Sequence, residues 1–361
     1  MHPLLDSANH RVVMVVGGAG YLGSHVARAL SSAGFGVVLL DNLSTGHVDL
    51  ALSLNLPLVE ASLGDAAVVE ALLSGDHPAT QNRPIAAVVH CAASDLGGCP
   101  DELASLACQA NLENTMVLLD ACARAGQRSG QAAVPIVLSS SASVYGPSDE
   151  ENEHRREGHA VHPLSASGYC HWINEQLLAD LGRDMAVPHV ILRCFSVAGA
   201  DPQGGLGEDH LPETHLIPSI LEAMSGRRMC LELYGVDYPT PDGSPIRDFI
   251  HVCDVAEAHV LAVRRVLNVG GSHIYNIGTG TGHSVLQVVE AAKALTGHGL
   301  LIHLSPRRRG DIAHLVADPR RARQELGWRL RYSNLQTILQ HAWLWHRFRF
   351  ANDLDRFVLR R

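Results

Sequence analysis

Short apolar runs recur along the first two hundred residues, each followed by a stretch with helical periodicity. Val12–Val16 is unbroken and apolar, and shorter runs follow at 37–40, 86–89, 135–138 and 190–193. Between them, residues 24–33, 66–73, 103–125 and 172–183 carry apolar side chains at three- and four-residue spacing. Uninterrupted apolar strands alternating with amphipathic helices predict a parallel sheet buried on both faces, which is a doubly wound α/β fold of Rossmann type. Two polar stretches, 76–83 and 124–131, read as surface loops.

Beyond about residue 199 the pattern changes. Residues 200–211 are rich in Gly, Pro and Asp and predict a loop, and 231–248 predict loop and short strand around three prolines. Helical periodicity returns at 216–225, 254–267, 284–295 and 334–350. These pieces predict a smaller C-terminal substrate lobe stitched onto the sheet. Residues 1–200, with 250–280 returning to them, form the expected dinucleotide domain. Residues 201–361 form mainly the lobe.

Candidate chemistry begins at Gly17-Gly18-Ala19-Gly20-Tyr21-Leu22-Gly23, between a predicted strand and a predicted helix. Glycines at 17, 20 and 23 allow a tight turn, a close approach to a pyrophosphate and close helix–strand packing. The helix N-terminus then offers unpaired N–H groups to the phosphates. Asp41 ends the second strand, where a carboxylate accepts hydrogen bonds from ribose hydroxyls and repels the 2′-phosphate of NADP. The expected cofactor is NAD.

Composition narrows the classes. A net charge of -9 provides no basic surplus for nucleic acid, and no apolar run has membrane-spanning length. The first ten residues lack the charged and apolar regions of a secretory signal. Eight scattered cysteines without a CxxC pair point to neither zinc nor a disulfide framework, and fit a reducing cytoplasm. His251, Cys253 and Asp254 lie close together at a strand end and read as structural, so no metal is expected. Lys293 is the single lysine.

At Ser139-Ser140-Ser141-Ala142-Ser143-Val144-Tyr145-Gly146 a serine cluster follows a strand, and Tyr169 stands near the start of a later helix. In this layout the chain resembles the extended branch of the short-chain dehydrogenase/reductase family, and within it the UDP-glucose (UDP-galactose) 4-epimerases. The resemblance runs from about residue 11 to about residue 343. It includes DNLSTGH at 41–47, GEDHLPETHLIPSIL at 207–221, YPTPDGSPIRDFIHVCDVAEAH at 238–259, YNIGTGTGHSV at 275–285 and PRRRGD at 306–311. It implies an NAD-dependent epimerase of a UDP-sugar, usually a homodimer. Carried over by position, Tyr169 is the implied base on the sugar hydroxyl and Ser141 its hydrogen-bond partner. NAD is implied to contact Gly17, Gly20, Tyr21, Leu22, Gly23, Asp41, Asn42, Ser62, Leu63, Ala92, Ala93, Asn111, Ser139 and Tyr169. The sugar nucleotide is implied to contact Ser141, Ser196, His215, Leu216, Tyr234, Arg247, Arg308 and Asp311.

The chain departs from the family at several places. With Tyr169 as the tyrosine of Tyr-x-x-x-Lys, the lysine position holds Ile173, which can neither hold a ribose hydroxyl nor lower a phenol pKa. Asp95 stands where the epimerases have lysine, Ser62 where they have an adenine-binding aspartate, and Cys194 and Ser196 where they have tyrosine and asparagine. Leu315 occupies the gate beside the sugar. Two alternatives therefore stay open beside 4-epimerisation. One is a related NAD-dependent nucleotide-sugar enzyme with another outcome, such as another epimerisation, a dehydration or a decarboxylation. The other is a catalytically silent protein that binds NAD or a UDP-sugar.

Overall fold

The computed structural model describes residues 11–92, 101–130, 132–148 and 153–351. Its centre is a sheet of seven strands: β1 (Val12–Val16), β2 (Gly36–Asp41), β3 (Leu58–Glu60), β4 (Ile85–His90), β5 (Ile136–Ser141), β6 (His189–Cys194) and β7 (Ser272–Ile277). Their order is β7-β6-β5-β4-β1-β2-β3, and every pairing is parallel. The unbroken apolar runs follow from this arrangement. Val13 and Val15 face one layer while Val12, Met14 and Val16 face the other, so both sides of each strand need apolar side chains.

Helices α1 (Tyr21–Ser32) and α7 (Val252–Asn268) cover one face and pack on each other. Helices α3 (Ala66–Ser74), α4 (Asp101–Ser129) and α5 (Ala166–Asp184) cover the other. A short α2 (Val48–Ser53) follows β2. The small lobe has its own apolar centre. There α6 (Leu216–Met224), α8 (Val285–Thr296) and α10 (Leu335–Arg349) meet through Ile217, Ile220, Leu221, Val288, Val289, Ile338 and Leu339. α9 (Arg320–Glu325) returns to the main sheet, where Tyr275 Oη donates to Glu325 at 2.8 Å.

Two expectations are corrected. Residues 124–129 are not a loop but the last turns of α4, because Cys122, Ala123 and Gly126 are buried while Arg124 and Arg128 pair with Glu70 of α3. One disulfide is present, between Cys108 of α4 and Cys170 of α5, 62 residues apart. Packing of α4 on α5 brings the two together, a relation that sequence spacing does not display. Among the described residues no helix is long and apolar enough to cross a membrane.

Three histidines in the large domain, His25, His90 and His259, are buried, and burial pushes each down to about 4. Unfolded, each would take up a proton near pH 6.5. Their stabilising contribution is therefore complete above that value and is lost as pH falls from 6.5 toward 4. At pH 5 the loss is on the order of 2 kcal/mol for each such group. Scanning calorimetry is expected to show a melting temperature several degrees lower at pH 5 than at pH 7.5; equal values at the two pHs would contradict this burial.

Candidate functional site

The strand order reverses direction between β1 and β4, so the connections leaving them diverge and a crevice opens at the carboxyl ends of the strands. Its volume is about 620 Å³. Gly17 forms its floor with φ +75, and a Cβ there would lie 2.8 Å from the backbone nitrogen of Ala92. Gly23 presses on the carbonyl of Gly17 in the same way. Only glycine lets the turn, the start of α1 and the exit of β4 come this close. Helix α1 then begins after Gly20 with no side-chain cap, leaving its first N–H groups directed at the crevice.

Asp41 closes β2 and is buried. Its Oδ2 accepts from Ala19 N and its Oδ1 from Leu43 N, both at 2.8 Å. These bonds fix the carboxylate at the crevice wall with its remaining lone pairs turned to a ligand. Tyr21 donates its hydroxyl to Gly199 O at 2.7 Å and ties α1 to the opposite wall. Gly20, Leu22, Asn42, Ser62, Leu63, Ala92, Asn111 and Ser139 also line the crevice. Ser139 is held beneath it by His259 Nε2 at 2.7 Å. Ala93 and Asp95 lie outside the described residues. This set fits a dinucleotide: a glycine floor, a helix N-terminus for two phosphates, and a buried carboxylate at the end of β2 for a ribose.

The wall opposite the glycines carries the other ligand set. Arg247 is sunk in it, donating to the carbonyls of Ile246 at 2.9 Å and Ile312 at 2.6 Å, with Asp311 4.0 Å away; burial lowers its pKa. Arg308 donates to Asp311 at 3.2 Å and lies over the ring of Tyr234, 4.7 Å from its centre. Ser196, Leu216 and Leu315 complete this wall. His215 caps α6 and pairs through Nδ1 with the buried Glu208. Sequence reasoning missed the surrounding cluster, in which one donor atom from each of Glu208, His210, Glu213 and His215 lies within 4.8 Å of the others. Burial alone would raise both acids. His215 and His210 instead hold Glu208 at about 2, while burial and the charge of Glu208 push Glu213 up to about 7.

The centre of the crevice does not match expectation. Ser141, at the end of β5, lines it as expected and accepts from Ser143 N at 3.1 Å. Tyr169 does not: its side chain is directed outward and the residue is 46% exposed. Ile173, one turn further, is also absent from the lining. The residues that α5 presents to the crevice are Ser167 and His171. The cause is the seating of the helix. Ser165 caps it by accepting from Gly168 N at 3.1 Å, and Gly168 abuts the carbonyl of Ser143 too closely for any side chain. Further along, Glu175 is clamped by Arg193 at 2.6 Å and by Ser140 at 2.5 Å. With 168 and 175 fixed inward, positions 167 and 171 face the ligand space and 169 and 173 face away. The Tyr-x-x-x-Lys spacing therefore falls on Ser167-x-x-x-His171. The buried series 168, 175, 178 and 182 along α5 was the available signal.

A sheet of this order with such a crevice defines a dinucleotide-binding α/β protein. The pattern of the NAD dependent epimerase/dehydratase family matches residues 13–278, and the chain belongs to that family. It is 39% identical over 337 residues to a UDP-glucose 4-epimerase of Azospirillum brasilense, covering 93% of this chain and 92% of that one. Among solved structures it is similar to UDP-glucose 4-epimerase from Brucella ovis in complex with NAD, with TM-score 0.82, 40% identity and coverage of 92% and 97%. It is also similar to the enzyme from Stenotrophomonas maltophila with bound NAD and formylated UDP-arabinopyranose, with TM-score 0.85, 34% identity and coverage of 95% and 100%.

Because Tyr169 stands outside the crevice, Tyr169→Phe is expected to leave NAD affinity and sugar turnover within about twofold of wild type. A loss of a hundredfold, measured by steady-state assay, would return the phenol to the chemistry.

Proposed function

We propose that this protein is an NAD-dependent epimerase acting at C4 of a UDP-hexose, interconverting UDP-glucose and UDP-galactose through a 4-keto intermediate. The observation that carries this reading is the continuity of one crevice from the glycine turn and Asp41, past Ser141, to Arg247, Tyr234, Arg308 and Asp311. A redox dinucleotide and a diphosphate ligand would meet end to end, with the reacting sugar at Ser141. The 36–39% identity to several curated UDP-glucose 4-epimerases over most of both chains supports the same substrate class.

When bound, NAD accepts hydrogen from C4 of the sugar and returns it to the other face. The rest falls to the chain. Asp41 holds the adenosine ribose, and the N-terminus of α1 holds the pyrophosphate. Ser141 donates to the oxygen at C4 as it becomes a ketone. Arg247 and Arg308 fork the sugar-nucleotide diphosphate, Tyr234 lies against the uracil, and Asp311 and His215 with Leu216 frame the uridine. Residues 1–200, with 250–280, thus bind the cofactor while 201–361 mainly bind the sugar nucleotide. A homodimer in the cytoplasm completes the proposal, on the strength of the family resemblance.

Incubation of the purified protein with NAD and UDP-glucose is expected to produce UDP-galactose, followed by proton NMR of the anomeric signals. If neither UDP-glucose and UDP-galactose nor their N-acetyl forms interconvert, the reading fails, and the two alternatives, a related enzyme with another outcome and a silent binder, take its place. Arg308 is half exposed and clear of the core. Its replacement by alanine is expected to raise KM for UDP-glucose roughly tenfold to a hundredfold, the scale of a lost charge-assisted hydrogen bond, with a smaller change in kcat.

A further inference from the structure

We propose that in this chain the proton of the sugar hydroxyl is taken by the imidazole of His171, relayed through the hydroxyl of Ser167. This rests on the 4-epimerase reading and names the acid–base group that the reading lacks once Tyr169 is outside the crevice.

The placement argues for it. Ser141 and Ser143 from the exit of β5, and Ser167 and His171 from the first turns of α5, all line the crevice. The contact of Gly168 with the carbonyl of Ser143 locks the two elements together there. Ser143 Oγ is buried without a hydrogen-bond partner. Ser167 and His171 are four apart on one helix and so stand one above the other on one face. That spacing is the one required for the proposed relay between them.

Chemistry excludes the alternatives nearby. A serine hydroxyl alone is far too weak an acid to be present at neutral pH as the alkoxide that would take the sugar proton. Cys91 and Cys194 also line this region, but burial pushes the first thiol up to about 12 and the second higher still. Lys293, the single lysine, sits on α8 paired with Glu290. The carboxylates and histidines of the Glu208 cluster belong to the wall around the start of α6, and Asp41 is held by backbone at the end of β2. An imidazole has an ordinary pKa close to neutrality and exchanges protons in both directions, as an epimerase requires. Titratable groups on the elements around α5 include His90 and Cys91 at the end of β4, Glu113 and Asp120 on α4, His189, Arg193 and Cys194 on β6, and Tyr169, Glu175 and Asp180 on α5 itself. Arg193 and Glu175 neutralise each other, and His90 stays uncharged, pushed down to about 4 by burial and then by His171.

The step balances. The C4–H bond breaks and its electron pair leaves as hydride to NAD, the oxidant of the proposed reaction. The O–H proton passes to Ser167 Oγ as the serine proton passes to the imidazole nitrogen, and the C–O bond becomes a carbonyl. After the keto-sugar turns over, the same path runs backward, so oxidation and reduction cancel.

The test compares wild type, His171→Gln, Ser167→Ala and the double variant Ser167→Tyr/His171→Lys, each loaded with NAD. Wild-type kcat is expected to fall toward acid pH with a single titration. His171→Gln is expected to lower kcat by ~10²–10⁴-fold with UDP affinity unchanged, and Ser167→Ala by a smaller factor. The double variant is expected to restore turnover and remove the neutral limb. Independently of turnover, the imidazole resonance lost in His171→Gln is expected to shift when UDP-glucose is added to wild type. Active wild type with His171→Gln within threefold of it, or with no histidine-like limb, overturns the relay while leaving 4-epimerisation standing. Wild type inactive on every UDP-hexose overturns both.

Discussion

Everything at the centre of this protein depends on how closely a glycine turn can be pressed against the exit of the neighbouring strand. Gly17 rests on the backbone of Ala92, and Gly23 on Gly17 itself, so β1, α1 and β4 meet with no side chain between them. A methyl at either position would push α1 away from the strand ends and take the N–H groups of its first turn with it. The reversal of strand order places the opening, but the absence of side chains at these two positions gives it a floor shallow enough for phosphates. Asp41, Tyr21 and Ser139 are then secured to that floor by hydrogen bonds from outside the ligand space, which leaves their ligand-facing groups pre-oriented.

The crevice has two electrostatic characters. Its dinucleotide end relies on backbone dipoles and one carboxylate, without a cationic side chain among the described lining residues there. Its nucleotide-sugar end relies on two guanidiniums restrained by Asp311. Between them lies a band of hydroxyls from β5 and α5 with a single imidazole. Two anions can thus lie in sequence without sharing a cation, and the neutral band separates them where hydrogen is exchanged.

Much of this was legible in the sequence, for reasons that differ by element. The buried strands announced themselves because parallel strands covered on both faces need apolar residues at every position, as in Val12–Val16. The glycine turn and Asp41 were legible because their roles depend on residue type and spacing alone. β3 went unseen because three residues at a sheet edge leave too short a pattern. The last turns of α4 looked like a loop because their polar residues serve salt bridges to α3, a tertiary fact. The register of α5 was the costly error. A tyrosine near the start of a helix is a conspicuous residue, whereas the features that decide the rotation are Gly168 against Ser143 and Glu175 against Arg193. Those contacts join segments 25 and 18 positions apart and exist only once the sheet has formed.

Arg247 carries one further implication. Its guanidinium is enclosed by peptide carbonyls with a carboxylate 4.0 Å off, so most of its charge is met by dipoles and only part by an opposite ion. Such a group attracts any small tetrahedral oxyanion that reaches it. Orthophosphate or sulfate in a storage buffer would then occupy the nucleotide end of the crevice in proportion to its concentration, and apparent substrate affinities would vary with the choice of buffer salt.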